Sequence, residues 1–334
     1  MTDIINDVTN IKAAGADSHW HYSMTSAPTF KILSLDGGGA KGFYTLGILR
    51  ELEALVQKPL HEQFDLIIGT STGSIIASLL ALGNSTSSIH ALYSEHVTKV
   101  VVAKSRSAKS TALRSLASEV FGTQMFLDAK TGLSVVATNW RNERPMIFKN
   151  RIEQSHGRTA TFVPGFGCTI ADAVVASCSA YPYFERACFK LGTGEFVELI
   201  DGGFCANNPT LYAIADGVAG CGFAHENLRV VSLGVGVYPA PKPHLFSIGW
   251  IAKHLMTVEL LQKTLEINTQ SMDQLRAILF KSVPTIRISD TFSQPELATD
   301  LFEHDRAKLD MLYVRGRESF ARAEDGLRSL LDLV

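Results

Sequence analysis

Three short segments of this chain carry residue types and spacings that can do chemistry. Gly69-Thr70-Ser71-Thr72-Gly73 fits G-x-S-x-G. In that pattern a serine sits on a tight strand-to-helix turn and projects its hydroxyl as a nucleophile. The flanking glycines relieve crowding, and the following helix turns the positive end of its dipole toward any charge that develops. Asp36-Gly37-Gly38-Gly39-Ala40-Lys41-Gly42 is a run whose backbone N–H groups can close on an anion. Asp201-Gly202-Gly203 supplies a carboxylate with small neighbours. An aspartate is a poor base in water, and burial raises its pKa toward a useful value.

The glycine run admits three readings. A Walker A loop needs Gly-Lys-Ser/Thr, which is absent. Gly37-x-Gly39-x-x-Gly42 matches the dinucleotide fingerprint literally. That fingerprint wants an acid at the end of the second strand, but Asp65 stands at its start, and Asp36 would crowd a pyrophosphate with negative charge. The third reading is an oxyanion hole. The N–H groups of Gly37, Gly38 and Gly39, with that of Thr72 behind the nucleophile, would face the oxygen that turns negative when Ser71 attacks an ester. Lys41 could add positive charge nearby. Gly69, Gly73, Gly202 and Gly203 allow the close approaches.

The identity of the base stays open on these grounds. Asp201 is one candidate. A Ser-His-Asp triad is another, because His225, His244, His254 and His304 follow Asp201 in the order of α/β-hydrolases. None of the four sits in a glycine-rich or strand-end context.

The elements that must position these groups alternate. Phe30 to Leu35 reads as a strand ending in the glycine run. Phe43 to Val56 places Leu46, Leu49, Leu52 and Leu55 on one helical face. Leu66-Ile67-Ile68 reads as a buried central strand, and Thr72 to Leu82 as an apolar helix closed by Gly83. This order predicts an α/β fold with a parallel sheet. Later strands are expected at 135–138, 196–200, 230–233 and 285–288, and helices at 87–98, 170–178, 209–219, 248–282 and 303–333. Residues 1–28 read as an arm, with His19-Trp20-His21-Tyr22 its aromatic cluster. Residues 29–334 read as one domain, with the core motifs in 30–235 and a helical part in 245–334.

Of 334 residues 46% are hydrophobic, enough for a full core, and the net charge of −2 provides no global field for a nucleic acid polymer. Five cysteines without a C-x-x-C pair argue against a zinc or disulfide framework and for a reducing compartment. No secretory signal is legible, and no run of about 18 apolar residues predicts a membrane span. The basic stretch 99–118 holds Lys99, Lys104, Arg106, Lys109 and Arg114 with no acid. It reads as a surface segment, either a solvated face or a phosphate site for a lipid headgroup or nucleotide. The apolar stripe of 248–282, with Trp250, Leu255, Leu261 and Leu265, suits a core, a subunit interface in a homo-oligomer, or a lipid-facing surface.

Taken together and in this order, the three motifs resemble the patatin-like phospholipases. Ala176-Ser177-Cys178-Ser179-Ala180-Tyr181-Pro182-Tyr183-Phe184 and Ala206-Asn207-Asn208-Pro209 resemble further segments of that family. The resemblance implies a three-layer α/β/α fold with a mainly parallel central sheet. It implies a Ser71–Asp201 dyad without histidine, an oxyanion hole around Gly37, Gly38 and Gly39, and metal-free hydrolysis of phospholipid acyl esters through an acyl-Ser71 intermediate. The family often has arginine where Lys41 stands, and lysine lacks the planar fork.

Residues 262–270 and 315–320 resemble bacterial patatins of the CapV type, effectors of CBASS anti-phage defence. That resemblance implies activation by a cyclic dinucleotide; the basic segment is compatible with it, with Lys99, Lys104, Arg106 and Lys109 as candidate contacts. It also implies a cytoplasmic protein acting peripherally at the inner membrane. The alternatives are a constitutive lysophospholipase or esterase and a non-catalytic lipid-binding module.

Overall fold

The computed structural model describes residues 28–241 and 250–333. The expected arm, with its aromatic cluster, lies outside these residues.

The chain runs β1 (Phe30–Leu35), α1 (Gly42–Val56), α2 (Leu60–Gln63), β2 (Leu66–Thr70), α3 (Thr72–Ala81), α4 (Thr86–Val101) and α5 (Arg106–Phe121). Then follow β3 (Gly132–Asn139), β4 (Arg144–Lys149), α6 (Ile170–Ser177), β5 (Ala187–Lys190), β6 (Phe196–Asp201), α7 (Gly203–Ala206) and α8 (Thr210–Ala215). The chain ends with β7 (Leu228–Leu233), α9 (Trp250–Leu279), β8 (Thr285–Ile288) and α10 (Arg306–Leu330).

The sheet order is β5-β6-β3-β2-β1-β7-β8, with β4 also paired to β3. The strands β3, β2, β1, β7 and β8 are mutually parallel. Alternation along β1 and β2 builds two cores. Ile32, Leu66 and Ile68 face α8 and pack with Ile214. Leu33, Leu35 and Ile67 face the other way, into a larger core with α1, α3 and α10. Two faces covered by helices make the three-layer α/β/α fold that the resemblance implies.

Two strands escape the sequence pattern. Both β4 and β5 are antiparallel edge pieces, on β3 and β6 respectively. Pro145 is tolerated in β4 because an edge strand leaves one side unpaired. The basic stretch 99–118 folds as the end of α4 and most of α5. Ser105 caps α5 by accepting from Ala108 N–H. Leu113, Ala117 and Phe121 recur every four residues on its buried side, so packing secures a helix whose outer face is basic.

One register decides the site. β3 pairs with β2 along 132–136, and along 137–139 it pairs with β6. β2 runs parallel to β3 and β6 runs antiparallel to it, so their C-terminal ends meet head-on. Thr70 lies opposite Val136, and Asp201 lies opposite the next residue, Ala137.

Candidate active site

Ser71 occupies the turn between β2 and α3 with φ +51°, a conformation that L-residues adopt only under constraint. The glycines on either side provide that constraint. A Cβ on Gly69 would lie 2.1 Å from the Gly73 carbonyl oxygen, and one on Gly73 would lie 2.3 Å from that of Leu35. The Ser71 N–H donates to Ser177 Oγ at 2.8 Å, and this hydroxyl donates to the Val136 carbonyl at 2.5 Å. Ser177 therefore pins the elbow to β3.

Ser71 Oγ donates directly to Asp201 Oδ2 at 2.7 Å, while the Gly203 N–H donates to Asp201 Oδ1 at 2.7 Å. The direct contact leaves no place for an imidazole between them. No histidine lines this cavity among the described residues. Asp201 is 2% exposed. Burial raises its carboxyl to about 6, against the opposing pull of the Ser71 hydroxyl and the Gly203 amide. A base with that pKa is mostly ionised at neutral pH and still takes a proton readily.

The glycine loop turns free amides toward the cavity, with one correction to the sequence expectation. Gly37 N–H is committed to the Asn207 carbonyl at 3.0 Å, and Asn207 Nδ2 returns a bond to the Gly37 carbonyl at 3.2 Å. Gly37 is a tether and does not donate into the site. Gly38, Gly39 and Thr72 line the cavity with Ser71 and Asp201, and their amides have no partner among the described residues. Thr72 Oγ1 ties loop to elbow by donating to the Gly39 carbonyl at 2.7 Å. At the loop's root Arg287 grips Asp36 with both terminal nitrogens, at 2.6 and 3.4 Å. Burial raises the Asp36 carboxyl to about 6, and the guanidinium holds it back from going higher.

Lys41 needs a second correction. Its side chain lines a separate cavity, and only its neighbour Ala40 lines the one over Ser71. Three of the four basic residues named as nucleotide contacts take separate partners. Lys99 pairs with Glu95 at 3.3 Å, and Arg106 lies over the Tyr181 ring. Lys109 donates to the Val101 carbonyl and sits over Phe302, while Lys104 is exposed.

Beyond the polar centre the cavity is apolar, walled by Ile75, Val101, Leu113, Leu116, Phe184 and Phe302. An ester whose acyl chain lies on this wall would set its carbonyl between Ser71 Oγ and the free amides. Sequence reasoning gave no role to Ser177, Asn207 or Arg287, although two of them fall in segments that carry the family resemblance.

The patatin-like phospholipase family profile matches residues 33–214. A cUMP-AMP-activated phospholipase of Escherichia coli is 59% identical over 90% of this chain and 93% of its own. A cGAMP-activated phospholipase of Pseudomonas aeruginosa is 30% identical over 57% of each. The crystal structure of VipD from Legionella pneumophila aligns with a TM-score of 0.48 at 13% identity, over 90% of this chain and 67% of that one. By the extent of the profile match and of the 59% identity, the chain belongs to the patatin-like phospholipase family.

Proposed function

We propose that the chain hydrolyses phospholipid acyl esters with a Ser71–Asp201 dyad and that a cyclic dinucleotide switches this activity on. The observation that carries the catalytic part is the 2.7 Å contact of Ser71 Oγ with a buried, pKa-raised carboxylate beside free amides. Asp201 takes the proton as Ser71 Oγ attacks the carbonyl carbon. The carbonyl oxygen becomes negative against the N–H groups of Gly38, Gly39 and Thr72. Asp201 then returns the proton to the departing lysophospholipid oxygen, leaving an acyl-Ser71. Water, deprotonated by the same carboxylate, releases the fatty acid.

The nucleotide part is supported by the relatives, two of which are named for activation by cUMP-AMP or cGAMP. A membrane hydrolase with such a switch suits an effector of CBASS-type anti-phage defence. No helix of the described residues is long and apolar enough to cross a membrane. In this reading the enzyme meets its substrate at the bilayer surface.

Fatty-acid release from phospholipid vesicles, with and without cUMP-AMP or cGAMP, tests both parts. Release that requires one nucleotide and vanishes in Ser71→Ala is the expected result. Full release without nucleotide would remove the switch and keep the enzyme. Release that survives Ser71→Ala would remove the dyad.

A further inference from the structure

A second cavity of about 300 Å³ lies back to back with the catalytic one. Three pairs of chain neighbours divide between the two. Ala40, Leu265 and Leu301 line the catalytic cavity, whereas Lys41, Glu266 and Asp300 line the second. The wall is one residue thick in each of these three places, and one of them is the loop that carries the oxyanion donors. Ala40 N–H donates to the Leu301 carbonyl at 3.0 Å, which joins two of the three strips.

Lys41 is 3% exposed, and its ammonium makes no ion pair or hydrogen bond with any described residue. Glu266 and Asp300 act on it only through space. An ammonium buried in this way is unfavourable unless an anion compensates it. Tyr238 lines the same cavity, and its buried hydroxyl has no partner among the described residues. Of the other polar groups in the lining, Lys263 and Glu259 pair with each other at 3.5 Å, while Glu266, Asp300 and Gln262 offer acceptor oxygens. A bare anion would gain Lys41 and meet the carboxylates of Glu266 and Asp300, which no lysine of the lining pairs. A ligand that carries phosphate at one end and amino or imino hydrogens at the other is complementary to both. A nucleotide with a phosphodiester has both chemistries.

We propose that this second cavity is the activator site. A cyclic dinucleotide places a phosphodiester oxygen on Lys41 Nζ and turns a base edge to Glu266 and Asp300. This assignment rests on the nucleotide-gated reading above. The ligand's grip on Lys41 acts on the backbone of Ala40 and Gly39, the residues next to it in the oxyanion loop. The ligand shifts the loop toward the competent state by whatever it gains there over the resting one.

Calorimetric titration of the full chain with cUMP-AMP, cGAMP and inorganic phosphate tests the site. Wild type, Lys41→Met, Glu266→Gln and Gln262→Ala are compared with a variant in which Lys99, Lys104, Arg106 and Lys109 are all replaced by alanine. Wild type should bind one dinucleotide far more tightly than phosphate. Lys41→Met should weaken it at least 30-fold, Glu266→Gln and Gln262→Ala less, and the quadruple variant should bind like wild type. Methionine removes a buried charge at similar volume, so melting curves should show Lys41→Met folded. If it does not fold, Gln262→Ala and Glu266→Gln decide alone. Unchanged affinity in the cavity variants, or loss in the quadruple variant only, overturns the site and leaves the switch standing. Phosphate binding as tightly as the dinucleotides overturns the nucleotide assignment. A wild type that binds neither dinucleotide overturns switch and site together.

Discussion

Asp201 and Lys41 are both buried ionisable groups beside the same glycine loop, and the fold treats them in opposite ways. Both oxygens of Asp201 are filled, one by the Ser71 hydroxyl and the other by Gly203 N–H. The Lys41 ammonium has no such partner among the described residues. Burial lifts the first toward neutrality and pulls the second below the usual lysine range. A buried charge whose contacts are all assigned is set for the reaction. One facing a cavity without a contact is set for a ligand. The two kinds of buried charge therefore point to different experiments, although both are unfavourable for stability.

The largest effect expected from this contrast is that of Asp201→Asn. Loss of the base should reduce fatty-acid release at least about 10³-fold, within the range for general-base groups. Stability should move the other way. The folded carboxyl titrates near 6, against a reference of 3.8. The folded state thus binds more protons between those values, and wild-type stability falls as pH rises through that window. Above it, the charged Asp201 disfavours folding by on the order of 2–3 kcal/mol. The neutral amide of the Asp201→Asn variant should recover part of this, so the variant should melt above wild type at pH 8 and converge with it below pH 4. A variant that melts lower at pH 8 would show that the carboxylate's hydrogen bonds outweigh its desolvation.

Next in size is Ser177→Ala. It strips the acceptor from Ser71 N–H and the donor from the Val136 carbonyl, both inside the protein. Leaving such groups unsatisfied costs about 1–3 kcal/mol. A kcat reduced by roughly 10- to 100-fold with little change in KM should accompany it, because a small displacement of the nucleophile is enough for that. Normal kcat in Ser177→Ala would mean that the glycines alone hold the elbow.

These residues also mark how far the sequence could be read. The elbow was legible because its constraint is local: Gly69 and Gly73 are required within two residues of Ser71. The parallel strands were legible from their continuous apolar runs. The meeting of Ser71 with Asp201 was not, because it depends on β6 running against β3 and on a pairing that spans 130 residues. The family resemblance supplied the dyad where periodicity left a histidine open. Gly37 was misread as a donor because its amide is taken by Asn207, which lies 170 residues away. Lys41 was misread because the loop's two faces open on different cavities, and only the packing of α9 and of residues 300–301 against it separates them. The edge strands were missed for a simpler reason. Four residues at β5 and a proline in β4 carry too little pattern to stand out.

The pH profile gives a milder test of the same contrast in the unmodified enzyme. With Asp201 raised to about 6, kcat/KM for a neutral-headgroup vesicle should fall about tenfold per unit below pH 6 and be flat above about 7. Asp36 is raised to a similar value by burial, so two carboxyls titrate in the same window. The two are separable. Protonating either one removes a buried charge and stabilises the fold, and only protonating Asp201 also takes away the proposed base. A limb that persists in Asp36→Asn belongs to Asp201.

Arg287→Lys should give the smallest effect and the most informative one about the loop. Arg287 holds Asp36 through two nitrogens and also donates to Ser232 Oγ at 2.8 Å. Lysine keeps the charge and loses the fork, so Asp36 stays compensated while its orientation is freed. The expected result is a fall in kcat of about 3- to 10-fold with a small loss of melting temperature, carried by the Gly38 and Gly39 donors downstream. Arg287→Met is the contrasting variant, because it leaves Asp36 buried and unpaired. Breaking a buried pair in this way typically costs about 3–5 kcal/mol, and the loss should shrink at acid pH as Asp36 protonates. If lysine and methionine behave alike, the pair contributes shape and not charge, and the root of the loop is held by the Gly37–Asn207 tether alone.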